Sequence, residues 1–471
     1  MELSDFLIMR HEILLITGVL LILIVDLSIP DNKKKKIPVI ASFVMGIITL
    51  FGFYPVDTGS LFGNMYVTDM VRLTMKNILN LGVFLIFLQS SQWLCNKEND
   101  KKIAEFYLLI LSSLIGVNYL ISSGHFIMFY LGLELTTIPI AALASFHQYQ
   151  SKSAEAGIKL ILSSAFSSAI LLFGISILYA SLGSLYFNQM HLGSDIINVM
   201  GFIFFFSGIA FKISIVPFHL WTADVYEGSP TSVTAYLSVV SKGSAIFILL
   251  LTLGWIFRPL SQVSQDILYA VAIITMTIGN LFAIRQQNIK RFLAFSSIAQ
   301  AGFILLGLVG GTSLGITSVI YFILIYVFSN LGAFGVVIAV EQSSGKVNIN
   351  DYDGLYRTNP RLSLVMMLAL FSLAGIPPVA GFFGKFFLFT AAAESGFYTL
   401  LLIAVLNAII SLYYYLLVVK AMFINKSDSP VAGFKSDFST RLSLMICVVG
   451  IIVTGFYSPI FEFIKELSLG I

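Results

Sequence analysis

Apolar runs of roughly 17–25 residues, the length that carries a helix across a hydrocarbon core, recur along almost the whole chain. That recurrence leaves few folds open. Scanning for it predicts about fourteen spans: 12–30, 37–55, 75–94, 104–121, 125–146, 156–182, 198–220, 229–256, 266–284, 292–310, 316–340, 362–389, 396–424 and 442–463. The expected fold is an all-α polytopic membrane protein. Of its 471 residues 58% are hydrophobic and 11% charged, far more apolar surface than a soluble domain needs. The connections are mostly short. The longest, 56–74, contains "GNMYVTDMVRL" and reads as a small hairpin or an amphipathic segment. The first apolar run begins near Ile13 and ends at Asp26–Pro30 without a small-residue cleavage site, so no signal peptide is expected.

Several function classes drop out. A net charge of +3, with the basic residues scattered in short loops, does not describe a nucleic-acid binder. Cys95 and Cys447 cannot supply a four-cysteine iron–sulfur cluster and lack metal-site spacing. The glycine-rich "GLVGGTSLG" (Gly307–Gly315) joins apolar helices and follows no strand, so it is a poor nucleotide loop.

Charge sets the topology. With the N-terminus outside, the cytoplasmic loops hold about 18 Lys/Arg, among them Lys33, Lys97, Lys101, Lys102, Arg285, Lys290, Arg291, Arg357 and Lys435. The outer side holds about 5: Arg10, Arg72, Lys76, Arg258 and Lys465. That asymmetry supports both the orientation and the span count.

Four lysines remain, Lys159, Lys212, Lys242 and Lys385, and all fall inside spans, as does one carboxylate, Glu134. A lysine at mid-bilayer costs about 2.5–3.5 kcal/mol on insertion scales. An ion pair between Glu134 and Lys212 would lessen that cost for both. Such a pair could simply lock helices together; a row of lysines is harder to explain that way. Lys159 has a plainer reading, because Glu155 stands four residues before it near a helix end and suits an ordinary interfacial pair. Desolvation weakens a lysine's hold on its proton and a nearby carboxylate strengthens it. A buried lysine with a movable acidic partner can therefore switch, and Lys212, Lys242 and Lys385 could be successive stations of a proton path.

Two spans are interrupted. Pro217 removes a backbone hydrogen bond close to Lys212. The twelfth reads "LAGIPPVAGFFGKFF" (Leu373–Phe387), with Pro377, Pro378 and three glycines ahead of or beside Lys385. Unwound backbone at membrane depth is tolerated where protein or a wet cavity surrounds it, and matched interruptions mark transporter ion sites. Spans 4–8 and 9–13 form two blocks of five, with the broken helix fourth in each. Because five is odd, the second block must be inverted. The expected organisation is 1–103, a three-helix segment; 104–256 and 266–424, the two repeats; and 425–471, a final helix. His219, at a helix end beside Trp221, either caps or hydrogen-bonds locally or is a relay toward the cytoplasmic side. "LYYYL" (Leu412–Leu416) reads as packing or lipid contact.

"FKISIVPFHLWTADVYEGSPTSVTAYLSVVSK" (Phe211–Lys242), "LAGIPPVAGFFGKF" and "NIKRFLAFSSIAQAG" (Asn288–Gly302) resemble the antiporter-like subunits of respiratory complex I and of Mrp-type cation/proton antiporters. Among these they look most like the N-type subunits of bacterial NADH–quinone oxidoreductase. The resemblance covers nearly the whole chain. It implies fourteen helices, inverted five-helix repeats, discontinuous helices seven and twelve, and proton pumping driven by quinone reduction elsewhere. It makes Glu134 the helix-five glutamate, Lys212 the helix-seven lysine paired with it, Lys242 the helix-eight lysine of a central polar axis, and Lys385 the helix-twelve lysine near the outer exit. M-type subunits carry glutamate at that last position. Lys159 resembles a helix-six lysine of the N type. Two positions depart: Ala223 precedes Asp224 where relatives often have proline, and Gln300 stands where many have a histidine.

The resemblance further implies no cofactor in this chain, with FMN, iron–sulfur clusters and quinone in partner subunits. The implied partners are an M-type subunit, small subunits such as K, J and A, the peripheral redox arm and the bilayer of a bacterial inner membrane. An Mrp-type antiporter or membrane-bound hydrogenase subunit would use the same lysines with another driver. A non-conducting membrane anchor is the third reading, and an anchor has no need of mid-membrane charge.

Overall fold

A computed structural model describes residues 5–54, 57–96 and 98–469; Lys97, counted above as a loop cation, lies outside them. In chain order the helices are α1 (Arg10–Ser28), α2 (Ile37–Gly52), α3 (Met70–Leu94), α4 (Ile103–Ile121), α5 (Phe126–Ala144), α6 (Ser151–Leu182), α7 (Ile196–Ile213), α8 (Leu220–Gly228), α9 (Thr231–Tyr236) and α10 (Lys242–Trp255). They continue with α11 (Ser261–Ile284), α12 (Ile289–Val309), α13 (Ser313–Ser344), α14 (Leu355–Thr358), α15 (Pro360–Ala374), α16 (Ala380–Glu394), α17 (Tyr398–Phe423), α18 (Phe438–Phe456) and α19 (Pro459–Ser468). Thirteen helices among the described residues are long and apolar enough to cross a membrane. The broken pair α15 and α16 fills the remaining expected span. The fold is all-α, because in lipid a helix satisfies its backbone within itself.

Residues 56–74 resolve the choice left open for them. Gly59–Leu61 and Tyr66–Thr68 pair antiparallel, with Ser60 opposite Val67. The Asp69 side chain then accepts from Arg72 N at 2.8 Å and caps α3. Helix α3 thus starts several residues before the expected 75, and it draws Arg72 and Lys76 inside. Neither is the outer loop cation expected of it: their side chains are 1% and 0% exposed.

The interruptions are where proline and glycine put them. Span seven stops at Ile213 and resumes as α8 from Leu220. Span eight is continuous but passes through a π turn, Leu237–Ser241, directly before Lys242. Span twelve breaks between Ala374 and Ala380, and Gly375 takes the left-handed φ of 85° that ends α15. A further break, unexpected, divides span fourteen ahead of Pro459.

The contacts form two compact units. One is Met1–Lys212 with Val240–Val263, the other Ile213–Val239 with Ser264–Ile471. This partition follows contacts and is not the repeat, whose boundaries rest on the layout of the spans.

In the second unit, α16 leaves the break close against α15. A methyl group added at Gly381 would lie 1.7 Å from the Ser372 carbonyl oxygen. The Ser372 hydroxyl also accepts from Gly381 N at 3.1 Å. Gly381→Ala is therefore expected to destabilise this unit by about 1–3 kcal/mol, the usual cost of overpacking. The check is the amount and melting temperature of purified protein, and Gly384→Ala, whose added methyl would meet the Phe322 and Ile325 side chains at 3.0 and 3.1 Å, should be milder.

Candidate functional site

In the first unit, Lys212 occupies the last turn of α7, at the lip of the break. Its ammonium donates to the Thr137 hydroxyl of α5 and, at 2.8 Å, to the Ser164 hydroxyl of α6. The expected Glu134–Lys212 ion pair is not formed. Two hydroxyls take two of the three ammonium donors. Glu134 stands one turn before Thr137, beside Tyr130, and its Oε1 is buried with no hydrogen-bond partner among the described residues. Glu134 instead acts on Lys212 through space.

Lys212 opens onto a cavity of about 10 Å³ measured as room for water centres, close to what one water needs. Thr136, Thr137, Ser241, Ser244 and Ile248 help wall it. Ser241 ends the π turn and Ser244 follows Lys242 by two residues, so the wall of the Lys212 cavity is built from residues flanking Lys242. Lys242 itself is 2% exposed.

Lys159 and Glu155 pair at 2.5 Å on the surface of α6, 40% and 57% exposed. That is the plainer of the two expected arrangements, and it sets them apart from the buried lysines. His125 is a helix cap, accepting through Nδ1 from Ile127 N at 3.0 Å.

Residues 5–94 hold a buried ionic group that the charge count misplaced. Lys76 Nζ lies 2.5 Å from Glu12 Oε1, both side chains fully buried. The Tyr66 hydroxyl donates to Glu12 Oε2 at 2.9 Å and accepts from Lys76 at 3.0 Å. Arg72 pairs with Asp69, donates to Ile121 O at 3.0 Å and stacks over Trp255 at 4.3 Å. Only Lys76, at the edge of an apolar window, hinted at this.

In the second unit, Lys385 turns back across the break in span twelve. Its Nζ donates to Ala374 O at 2.9 Å and sits 4.5 Å over the Phe303 ring. Gln300 Nε2 donates to Leu373 O at 2.8 Å and to the Tyr415 hydroxyl at 3.1 Å. Two carbonyls freed where α15 ends are therefore taken by Lys385 and Gln300. The glutamine that departs from the family pattern does not titrate, yet it holds the broken helix. Tyr414 and Tyr415 are buried and bonded, to Asn280 Oδ1 at 2.9 Å and to Ser296 and Gln300. The packing expected of "LYYYL" is met by these two, which also lie against the Phe292 ring, while Tyr413 and Leu416, 56% and 40% exposed, turn outward; the hydrogen bonds are the unexpected part.

Within the break of span seven, Val216 N donates to Thr275 Oγ1 at 3.1 Å. His219 holds the N-cap position of α8 without a side-chain cap bond, and its Nδ1 is buried with no partner among the described residues. The cap bond is thus absent, while the local reading keeps a hydrogen bond between the ring and the Pro217 backbone. Asp224 and Glu227 both take Arg291 Nη1, at 2.6 and 3.0 Å, and Lys290 Nζ donates to Ser229 O at 3.1 Å. The "DVYEG" and "NIKRF" motifs, about sixty residues apart, form one ionic clasp. Among the described residues no cluster of three His, Cys, Asp or Glu could hold a metal ion.

A family profile described as NADH:quinone oxidoreductase/Mrp antiporter, TM matches residues 123–411. The chain is 47% identical to the NADH-quinone oxidoreductase subunit N of Phocaeicola vulgatus, over 100% of each. It is 36% identical to the protein of that name from Moorella thermoacetica, over 93% of this chain and 92% of the other. A chain of respiratory complex I from Thermus thermophilus with bound aureothin superposes with a TM-score of 0.79 at 26% identity, covering 96% and 98%. A chain of the Mrp complex from Dietzia sp. DQ12-45-1b gives 0.87 at 20% identity, covering 100% and 98%, a likeness of fold alone.

Proposed function

The chain belongs to the NADH:quinone oxidoreductase/Mrp antiporter family, and from that premise we propose that it is the proton-translocating N-type membrane subunit of an NADH–quinone oxidoreductase. Relatives matched over their full length carry that name. One observation carries the reading: spans seven and twelve, the two whose interruptions the sequence predicts, each have a lysine at the break, Lys212 in the last turn of α7 and Lys385 on the final carbonyl of α15.

In this reading Glu134, Lys212, Lys242 and Lys385 form the proton path, and Lys159, Glu155 and His219 are secondary. The chain has no redox centre of its own. FMN, iron–sulfur clusters and quinone belong to partner subunits, and an M-type subunit and small K-, J- and A-type subunits flank it in a bacterial inner membrane with its N-terminus outside. The spans 104–256 and 266–424 are inverted repeats. Quinone chemistry in the partners changes the field at Glu134, and with it the grip of Lys212 on its proton. The Thr137 and Ser164 hydroxyls and one water in the small cavity relay that proton toward Lys242. Lys385 serves release to the outer side.

Purifying the complex through a tag on this chain and assaying NADH–quinone reduction tests the proposal. Flavin and iron–sulfur subunits with that activity are expected. Small cation-antiporter subunits without redox proteins would move the chain to the Mrp side of the family and make Lys212 a site of ion exchange.

A further inference from the structure

The second unit contains a cavity of about 760 Å³ between the starts of α15 and α18 and the connection that precedes α18. Three cations reach its mouth from three separate segments: Arg361 on α15, Lys435 on the connection and Arg441 on α18. All three are exposed. Below them the wall is apolar, with Val365, Leu444 and Val448 spaced along the helices. The connection is fastened in place. Asn359 accepts from Phe434 N and donates to Ala432 O, each at 3.1 Å. Asp437, between Lys435 and Arg441 in the sequence, accepts from Thr440 N and caps α18.

We propose that this cavity binds one anionic phospholipid, its phosphate between Arg361, Lys435 and Arg441 and an acyl chain along α18. The charge and the apolar wall have to be explained together. A soluble anion has no use for Val365, Leu444 and Val448, and loop charge that only sets topology has no need of a cavity between the cations. An amphiphile with a negative head uses both. The apolar track also continues along α18 from Met445, in the cavity wall, to Val449 and Ile452 beyond it, 50% and 47% exposed, along the direction an acyl chain would take. The two arginines suit bidentate contact with phosphate oxygens. The connections ahead of α15 and α18 are those the charge distribution assigns to the cytoplasmic face, where anionic headgroups attract basic residues.

The test uses the purified, intact complex and photoactivatable phosphatidylglycerol, with the labelled peptides mapped by mass spectrometry. Labelling of the peptide around Leu444–Val448 is expected, with a photoactivatable phosphatidylcholine of the same acyl length labelling it much less. Each of Arg361→Gln, Lys435→Gln and Arg441→Gln should weaken labelling by about fivefold, the effect of one cation near an anionic membrane surface. Val448→Trp, which fills the apolar track without touching charge, should abolish it and keeps the proposal testable if a charge variant fails to assemble. Millimolar inorganic phosphate should not compete. Equal labelling by both lipids would reduce the cavity to ordinary lipid contact and overturn the proposal. Full competition by phosphate would make it a free-anion site. Zero-length cross-linking of Lys435 to a partner's carboxylate, with no lipid labelling, would assign the mouth to an acidic protein segment.

Discussion

Lys212→Met in the assembled complex is expected to slow coupled proton translocation by about 10²-fold, the low end of what losing a positioned proton-transfer group costs. Methionine keeps the length and apolar stem of the side chain and removes only the nitrogen. Of the two hydroxyls left behind, Thr137 still donates to Leu133 O at 2.7 Å. Assembly should therefore survive, which separates loss of transport from loss of the subunit. Acidification and quinone reduction measured together in vesicles fed NADH decide the matter. Glu134→Gln should cost less, because Glu134 does not touch Lys212 and acts on it through space. Normal acidification per NADH in Lys212→Met would remove Lys212 from the path.

The second large effect lies outside that path. Lys76→Met or Glu12→Gln alone should destabilise the protein by about 3–5 kcal/mol, because each strands a fully buried charge. The double variant should recover most of the loss, since a buried pair replaced whole leaves no charge uncompensated. A double-mutant cycle on thermal unfolding of the purified complex reads the coupling. If the single variants melt at the parental temperature, Glu12 and Lys76 are not the closed pair described. Tyr66 bridges both partners, so Tyr66→Phe should cost about 2–3 kcal/mol, because it removes two buried hydrogen bonds to charged groups.

The features legible in the sequence are those that leave a mark along one segment. Fourteen spans could be counted because crossing a bilayer demands length and apolarity together. The breaks at Pro217 and at Gly375–Pro378 were visible because proline and glycine act on their own backbone. The buried lysines were visible because charge interrupts an apolar run. What could not be read depends on two or more segments meeting. Thr137 and Ser164 have no hydropathic signature, and only the packing of α5 and α6 against α7 makes them the partners of Lys212. Tyr414 and Tyr415 read as packing, and they do pack, but their hydrogen-bond partners Asn280, Ser296 and Gln300 come from other helices. Asp224, Glu227 and Arg291 were all noticed, in separate motifs, without anything to join them. Lys76 was misread for a different reason. A window that smooths hydropathy cannot tell whether a charge at its edge turns outward to water or inward to a carboxylate, and Glu12 sits 64 residues away.

The bond from Lys385 to Ala374 O has one more consequence. A lysine nitrogen donates whether or not it carries its extra proton, so discharge does not break this contact. What discharge does remove is the attraction between a full positive charge and the negative end of the half-helix that finishes at Ala374. The side chain is thus tethered in both states, and only the tension on the tether reports the charge. A proton can leave this nitrogen without the lysine swinging away, and the next proton finds the acceptor already in position.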